Sequence, residues 1–199
     1  MKLYYIPESC ALASLIAANE AGIRVEPVKV DVKSKTTATG RDFLAINPKG
    51  YVPALELDGG DVVTESAVVL QYLADLKPEA RLAAPNGTLG RVRLQEALNY
   101  VSAEIHRSYF PLFDPSTPPD VRARACEHLR RRYALLDKQL AGRKHLLGDE
   151  FTVADAYLFV VTRWAAGLGL DLADYANLQA FQKRVDARPA VRAAIEAQG

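Results

Sequence analysis

The most reactive side chain near the start of the chain is the thiol of Cys10, which follows a short apolar segment and precedes an Ala- and Leu-rich run. At the first turn of a helix, a thiol meets the positive end of the helix dipole and unpaired backbone N–H groups, and this environment favours the thiolate. The alternative is a small buried hydrophobic residue, because free cysteines are among the most buried side chains. The Cys-x-x-Cys pattern is absent, so redox chemistry at Cys10 would be monothiol and would need an external thiol.

Further polar groups occur at Val52-Pro53 and at Glu65-Ser66. A cis bond before Pro53 would expose the backbone N–H and C=O of Val52, and an ordinary edge-strand proline is the alternative. Ser66 stands at the start of an expected helix, where a hydroxyl and free N–H groups bind a carboxylate. Glu65 beside it would bind an ammonium group. The pair suits an α-amino acid zwitterion, with Ser66 as a plain helix N-cap as the alternative.

Histidine is the side chain whose charge changes near neutral pH, and the chain has three. Asn99, Ala103 and His106 recur at helical spacing and are expected to share one flank of a long helix. On that flank His106 would donate a hydrogen bond to a thiolate or an oxyanion, and a hydrogen-bonded boundary residue is the alternative. His128 and His145 have no comparable neighbours and are interpreted as structural or solvated.

The charge balance argues against a nucleic-acid partner. The 199 residues include 25 Lys and Arg against 24 Asp and Glu, and a net charge of +1 provides no broad positive field for a phosphate backbone. The basic run at 130–132 is interspersed with acidic residues and is interpreted as a solvated helix face. Phe110, Phe113 and Trp164 are interpreted as core rather than as the lining of a pocket.

Cysteine usage and hydropathy set expectations about metal, compartment and membrane. The two cysteines lie far apart and match no zinc pattern, which predicts no metal site and a reducing compartment. Pro7 and Glu8 interrupt the first apolar run before a signal-peptide core can form. No apolar run approaches the roughly 20 residues of a membrane span. We therefore expect a cytoplasmic protein with no membrane partner.

The first part of the chain supplies strands and helices that would position these groups. Residues 3–6 and 25–32 are expected to be strands, and the helix between them makes a parallel pair the expected arrangement. Residues 52–57 and 62–64 are expected to form an antiparallel hairpin around an Asp-Gly-Gly-Asp turn, followed by an amphipathic helix. Residues 1–77 are thus expected to form an α/β domain with the order βαβ, a long connection, then ββα.

The second part of the chain has the pattern of helices throughout. It follows a Pro- and Gly-containing linker at residues 78–87. An apolar stripe at helical spacing predicts a long helix that stops near Pro111. Thr152 and Asp155 have the spacing of a capping box ahead of an apolar helix. Residues 88–199 are therefore expected to form an all-helical domain.

Together, Cys10 and the segments NPKGYVPAL, TESAVVLQYLADL and LLGDEFTVADAYLF resemble a glutathione S-transferase along the whole chain. NPKGYVPAL with the ESA helix entry is typical of the family's thioredoxin-like domain, and the capping-box segment is a second signal, in the helical domain. Cys10 together with His106 is typical of the bacterial beta class. The resemblance implies the glutathione S-transferase fold: a βαβ-ββα domain with a mixed sheet, followed by an all-helical domain that contributes the electrophile pocket.

The resemblance also implies a glutathione site and a homodimer. Val52, before a cis Pro53, would pair its backbone with the cysteinyl part of glutathione. Glu65 and Ser66 would bind the γ-glutamyl zwitterion, and Lys35 would approach the glycyl carboxylate. On the long helix, the implied glutathione-site positions are Asn99, Ala103, Glu104, Ile105, His106 and Arg107. Some of these positions would reach across a dimer interface, and Cys10 and His106 would flank the glutathione sulfur.

The activity implied by the resemblance is conjugation of reduced glutathione, a co-substrate, to small hydrophobic electrophiles, with no metal. Cys10 would also form a mixed disulfide with glutathione and support disulfide or peroxide reduction. The alternatives are a non-catalytic ligand- or protein-binding member of the fold and a glutathione-dependent dehalogenase or isomerase. The joint presence of the site residues argues against the non-catalytic alternative. The dehalogenase or isomerase would use the same glutathione site and would differ only in the ligand of its other pocket.

Two positions depart from the family's pattern. Glu8 and Ser9 precede the cysteine where small or glycine-containing residues are usual, and Ala103 stands where relatives often have a polar residue. A carboxylate at Glu8 would raise the thiol pKa of Cys10 and oppose the helix dipole. Ala103 removes a hydrogen bond to glutathione. Both departures bear on catalytic strength.

Overall fold

The computed structural model describes residues 1–198, and Gly199 lies outside the described residues. The sheet-containing part of that range comprises β1 (Lys2–Tyr5), α1 (Ala11–Glu20), β2 (Glu26–Lys29), β3 (Ala54–Glu56), β4 (Val62–Thr64) and α2 (Ser66–Leu76). A 3-10 turn at Pro78–Ala80 leads to α3 (Leu89–Tyr100), α4 (Phe110–Phe113), α5 (Pro119–Leu140), α6 (Val153–Gly167), α7 (Ala176–Asp186) and α8 (Pro189–Gln198). None of the helices within residues 1–198 is both long enough and apolar enough to cross a membrane.

The four strands form one mixed sheet in the order β2-β1-β3-β4. β1 pairs in parallel with β2, whereas the β1–β3 and β3–β4 pairs are antiparallel. The predicted mixed βαβ-ββα arrangement is therefore confirmed. β2 is shorter than the predicted strand at 25–32, and it includes Pro27. A proline is tolerated there because β2 lies at the edge of the sheet.

Helix α1 lies at the centre of the molecule. Its residues from Ala11 to Ala18 are buried, and the helix packs against α2, α6 and α8. An Ala-rich helix that is apolar all round suits this position, because it leaves no polar face to hydrate. One continuous apolar core extends from Leu3 on the sheet to Phe181 on α7. The start of α1, where Cys10 lies, is therefore enclosed by both parts of the chain.

The start of α6 has the predicted capping box. The backbone N–H and the hydroxyl of Thr152 donate hydrogen bonds to Asp155 Oδ2 over 2.8 and 2.9 Å. The backbone N–H of Leu146 donates to Asp155 Oδ1 over 2.8 Å, so the fully buried carboxylate also anchors the preceding loop. Burial raises the pKa of Asp155 to about 6, and these three donors offset only part of the cost of burying the charge. The box thereby fixes where α6 begins.

The long helix predicted to stop near Pro111 differs from the structure in its winding. After α3 the chain is π-helical at Val101–His106 and 3-10 helical at Arg107–Tyr109, and α4 continues past Pro111. Pro111 lies in the first turn of α4, where its missing N–H has no helical partner to lose. The wider π turn adds a residue to the turn and changes which side chains share a face.

Candidate active site

Two adjoining cavities lie between the sheet and the helical part of the chain. The smaller, of about 500 Å³, brings together seven of the residues predicted for the site: Cys10, Val52, Pro53, Glu65, Ser66, His106 and Arg107. The larger, of about 780 Å³, is lined on one side by Lys35 and on another by Trp164. Cys10, Tyr51, Val52 and His106 line both cavities. These four residues therefore form the shared wall of the two cavities.

The thiol of Cys10 lies in this shared wall at the start of α1. It is 6% exposed, and Sγ donates a hydrogen bond to the carbonyl oxygen of Val52 over 3.3 Å. Burial raises the pKa of Cys10 to about 11, and the carboxylate of Glu65 contributes in the same direction, whereas the Ser66 hydroxyl and helix N–H groups lower it. Desolvation therefore outweighs the helix terminus in the free protein, which favours the second of the two alternatives, a buried and protonated thiol.

The peptide bond between Val52 and Pro53 is cis, as the resemblance implies. The loop that leads to it is braced by Asn47, whose buried side chain donates to the carbonyl oxygen of Tyr51 over 2.7 Å. Asn47 Oδ1 accepts a hydrogen bond from the backbone N–H of Lys49. Asn47 was not predicted to have a role, although it opens the NPKGYVPAL segment. It holds the backbone of that segment against the smaller cavity.

Glu65 and Ser66 lie at the N-terminus of α2. Glu65 has a φ of 72°, in the left-handed region that costs a non-glycine residue about 1–3 kcal/mol and is found mainly at functional sites. Its exposed carboxylate accepts a hydrogen bond from Lys49 Nζ over 2.6 Å, and the same ammonium donates to Thr64 Oγ1. Ser66 is buried beside Cys10. The site thus combines an anion, a cation and a helix N-terminus within one cavity.

Lys35 lines the larger cavity. Its Nζ donates a hydrogen bond to the carbonyl oxygen of Gly50 over 3.1 Å. Gly50 has a φ of 69°, and a Cβ there would lie 3.2 Å from Leu44 Cδ2, so both the conformation and the packing favour glycine. Lys35 therefore places a positive charge beside Tyr51 and Val52, in the larger cavity.

His106 lies at the end of the π turn, facing both cavities. Its Nδ1 lies 2.6 Å from the hydroxyl of Tyr157, and its ring centroid is 4.9 Å from that of Trp164. Burial lowers the pKa of His106 to about 4, and the neighbouring charge of Arg107 contributes in the same direction. The imidazole is therefore uncharged at neutral pH.

Tyr157 and Ser102 also line the smaller cavity and were not predicted. Tyr157 is 1% exposed, and burial raises the pKa of its hydroxyl, which the hydroxyls of Ser102 and Ser66 face. Tyr157 lies in an apolar helical run and has the pattern of a core residue. Ser102 was missed although it lies four residues before His106, a spacing that places two side chains on one helix face. Helix α6 also contains Phe159 and Trp164, so no sequence signal set Tyr157 apart.

Aromatic side chains line the cavities, which favours the alternative of pocket lining over core packing. Phe113 and Trp164 line the larger cavity and Phe110 the smaller one. The Trp164 and Phe113 rings meet edge to face with centroids 5.2 Å apart. Trp164 Nε1 donates to the backbone carbonyl of Glu8 over 2.7 Å. The aromatic wall of the larger cavity is thereby tied to the loop before Cys10.

Four of the positions implied on the long helix lie outside both cavities of their own chain. Asn99 and Ala103 are exposed, and Ile105 is buried in the core. Glu104 faces α5, where its Oε2 accepts a hydrogen bond from Arg132 Nε over 2.6 Å. Their contact with glutathione stays a prediction, and for the exposed pair it requires a second copy of the chain.

Comparison with known proteins matches both parts of the chain. Residues 9–76 match the family described as glutathione S-transferase, N-terminal domain, and residues 100–189 match glutathione S-transferase, C-terminal domain. The chain is 40% identical to glutathione S-transferase GstA of Escherichia coli O157:H7, over 100% of this chain and 99% of the relative. Among solved structures, it resembles a sphingomonad glutathione S-transferase complexed with glutathione (45% identity, TM-score 0.97) and the bacterial beta class enzyme of Sphingomonas chungbukensis (43%, 0.97). Each alignment covers 100% of this chain and 99% of the other.

Proposed function

The chain belongs to the glutathione S-transferase family, in its bacterial beta class, and from this premise we propose that it conjugates reduced glutathione to small hydrophobic electrophiles across the two adjoining cavities. The observation that carries the proposal is the wall shared by the cavities, formed by Cys10, Tyr51, Val52 and His106. A glutathione sulfur at this wall is open to an electrophile in the larger cavity. Proximity of the two reactants then supplies much of the rate.

Glutathione occupies the smaller cavity in this proposal. The backbone of Val52 pairs with the cysteinyl residue in the manner of an added strand. The Glu65 carboxylate binds the γ-glutamyl ammonium group. The N-terminus of α2 at Ser66 and the ammonium of Lys49 take the γ-glutamyl carboxylate. The glycyl end reaches past Val52 into the larger cavity, where Lys35 takes the glycyl carboxylate.

The electrophile occupies the larger cavity, against Trp164 and Phe113. The glutathione thiolate attacks the electrophilic carbon there, a new C–S bond forms, and the leaving group departs with its electron pair. Neutral His106 donates a hydrogen bond to the thiolate and stabilises it relative to the thiol. Each unit by which the pKa of the glutathione thiol is lowered corresponds to about 1.4 kcal/mol.

Cys10 gives the same site a second activity in this proposal. Cys10 lines both cavities, where its deprotonated Sγ can attack the glutathione sulfur of a mixed disulfide RSSG; the S–S bond breaks, Cys10–SSG forms and the thiolate RS⁻ leaves and takes up the proton. A second glutathione then attacks Cys10–SSG, which releases Cys10 and oxidised glutathione. Replacement of Cys10 by Ala separates the two activities: conjugation persists while disulfide reduction is lost. Disulfide reduction that persists unchanged in the variant contradicts the redox role.

The proposal includes a homodimer. Asn99 and Ala103 lie on the exposed face of the long helix, and large apolar side chains at Val68 on α2 and Val92 on α3 are also exposed. An exposed apolar face on two adjacent helices is suited to a partner helix pair. Sedimentation velocity is expected to give twice the monomer mass, and an Asn99→Ala variant of the dimer is expected to bind glutathione more weakly. A monomer in solution contradicts this part of the proposal.

Calorimetric titration with reduced glutathione tests the proposed function. The parent protein is expected to show saturable binding, and the Glu65→Ala, Ser66→Ala double variant is expected to lose it. Glu127→Ala provides a matched control, because Glu127 is an exposed, ion-paired glutamate on α5 that lines neither cavity. Absence of binding by the parent would mean that the fold serves another ligand.

A further inference from the structure

The hydroxyl of Tyr157 and the imidazole of His106 form a close contact between two helical elements. Tyr157 Oη lies 2.6 Å from His106 Nδ1, and the two rings are perpendicular, with centroids 5.8 Å apart. Tyr157 is 1% exposed in the apolar helix α6, whereas His106 ends the π turn that follows α3. The contact therefore fixes one ring nitrogen of His106 against a rigid, buried partner.

The direction of this hydrogen bond follows from the chemistry of the two groups. A phenol is the more acidic donor and a neutral imidazole nitrogen is the more basic acceptor, so the tyrosine O–H donates to Nδ1. The Ser102 hydroxyl faces the Tyr157 oxygen and can donate to a lone pair, and the single proton of the Ser66 hydroxyl can go either to the same oxygen or to Cys10 Sγ. This arrangement leaves the phenol proton for His106. Burial supports it by lowering the pKa of His106 and raising that of Tyr157, so both groups are neutral.

A neutral imidazole whose Nδ1 accepts a hydrogen bond carries its own proton on Nε2. Within residues 1–198, Nε2 makes no hydrogen bond to a protein group. The ring lines both cavities, beside Cys10 and Val52. The unused N–H is therefore the donor that His106 presents to the cavities.

We propose that Tyr157 is a positioning residue that locks His106 in the Nε2–H tautomer and aims this donor at the glutathione sulfur. The inference rests on the proposed function for the identity of the acceptor, but the tautomer itself is a property of the free protein. Without the phenol, Nδ1 and Nε2 compete for the proton and the ring loses its fixed orientation. A fraction of the molecules then presents a lone pair to the sulfur, which repels a thiolate.

Tyr157→Phe tests the proposal because it removes only the hydroxyl and keeps the ring against His106. Tyr133→Phe is the matched control: Tyr133 is also fully buried in the helical part, and its hydroxyl lies 2.9 Å from Tyr109 Oη, but it lines neither cavity. Both variants lose one buried tyrosine hydroxyl. A general loss of stability is therefore expected to appear in both, whereas a change in His106 is expected in only one.

The first readout is the tautomer in the free protein, measured by long-range ¹H–¹⁵N correlation on histidine-labelled protein. The His106 signal is assigned by its absence in His106→Asn. The parent and Tyr133→Phe are expected to carry the proton on Nε2, and Tyr157→Phe is expected to show a mixture of tautomers. A proton on Nδ1 in the parent overturns the proposal whether or not any variant folds. An unchanged tautomer in Tyr157→Phe overturns it as well.

The second readout is kinetic, with a chlorinated nitrobenzene as the electrophile. Loss of the fixed donor is expected to lower kcat about tenfold in Tyr157→Phe, the cost of one hydrogen bond, with KM for glutathione within about twofold of the parent. The ultraviolet absorbance of the bound thiolate is expected to fall at the same pH. An unchanged kcat with an altered tautomer shows that the donor does not act on the sulfur and overturns the positioning role. Failure of the parent to bind glutathione contradicts the proposed function but leaves the tautomer result intact.

Discussion

The indole N–H of Trp164 on α6 donates a hydrogen bond to the backbone carbonyl of Glu8, 2.7 Å away in the loop before Cys10. Glu8 has a φ of 59°, so this loop holds a strained residue two positions from the thiol. The bond joins the helical part of the chain to the segment that positions Cys10. The aromatic wall of the larger cavity and the position of the thiol are therefore coupled.

Trp164→Phe tests this coupling, because it keeps an aromatic ring in the larger cavity and removes only the indole donor and part of the surface. The unpaired Glu8 carbonyl and the lost hydrogen bond are expected to lower the free energy of unfolding by about 1–2 kcal/mol, measured by urea denaturation. KM for the electrophile is expected to rise. Phe113→Leu is the control: it alters the same cavity without touching Glu8, so it is expected to change KM with little effect on stability. Equal stability of parent and Trp164→Phe would contradict the role of the bond.

The thiol of Cys10 is expected to titrate far above the ordinary cysteine range in the free protein. Its pKa is raised to about 11 from 9.0 by burial, so at pH 8 the thiol is protonated and its thiolate fraction is about 100-fold below that of an unperturbed cysteine. The rate of alkylation by iodoacetamide, measured in a Cys126→Ser background, is expected to rise with pH up to a midpoint near 11. The midpoint reports the pKa independently of access to the cavity. A midpoint below 9 would show that the helix terminus dominates.

His106 is expected to stay uncharged across the pH range of activity. Burial lowers its pKa to about 4. His106 therefore takes up a proton near pH 6.5 in the unfolded chain, but only near pH 4 in the folded chain. Between pH 6.5 and pH 4 the folded state therefore binds fewer protons than the unfolded state. The free energy of unfolding falls as the pH is lowered through this range. The measurement is urea denaturation at pH 7 and pH 5. The parent is expected to lose more stability than His106→Asn, and equal losses would contradict the shifted pKa.

The buried carboxylate of Asp155 is expected to contribute more to stability than Thr152, the other residue of the capping box. It accepts three hydrogen bonds, from Leu146 N, Thr152 N and Thr152 Oγ1, and it is fully buried. Asp155→Ala leaves these buried donors unpaired and is expected to cost about 3 kcal/mol or more, whereas Thr152→Ala removes one donor and is expected to cost about 1 kcal/mol. Asp120→Ala, at the exposed start of α5, is the control and is expected to change stability by less than about 0.5 kcal/mol. Thermal or urea unfolding ranks the three variants.

Local sequence patterns predicted most of the features that depend on neighbouring residues. The Asp-Gly-Gly-Asp turn predicted the β3–β4 hairpin, the Thr152 and Asp155 spacing predicted the start of α6, and the helix between the first two strands predicted their parallel pairing. Cys10 and Ser66 were placed at helix starts, and both helix starts line the smaller cavity. These predictions succeeded because turn chemistry, capping and connection length are determined within a few residues.

Features that depend on the whole fold were not predictable in this way. The π turn at Val101–His106 has no sequence signature, because it does not alter the average spacing of apolar residues. Tyr157 looks like a core residue until the structure shows a histidine nitrogen against its hydroxyl. The thiolate expected at Cys10 followed from the helix end alone, whereas its pKa is set chiefly by burial from elements distant in sequence.

Lys49 provides a test of how the smaller cavity recognises charge. Its Nζ lies 2.6 Å from Glu65 Oε1 and 3.1 Å from Thr64 Oγ1, so in the free protein it neutralises the carboxylate that is proposed to bind the ligand's ammonium group. When glutathione binds, Lys49 is expected to turn to the γ-glutamyl carboxylate while Glu65 takes the ammonium group. Lys49→Met is therefore expected to weaken glutathione binding about tenfold in calorimetry, the loss of one charge-assisted hydrogen bond.

Lys77→Met is the matched control for Lys49→Met, because Lys77 is an exposed lysine near Glu79 that lines neither cavity. Its glutathione affinity is expected to equal that of the parent. Tighter binding by Lys49→Met would mean that the lysine competes with the ligand's ammonium group for Glu65 and contributes nothing to the carboxylate. Glutathione binding becomes weaker in Lys49→Met if Lys49 turns to the γ-glutamyl carboxylate, and tighter if Lys49 only blocks Glu65. The direction of the affinity change therefore decides between them.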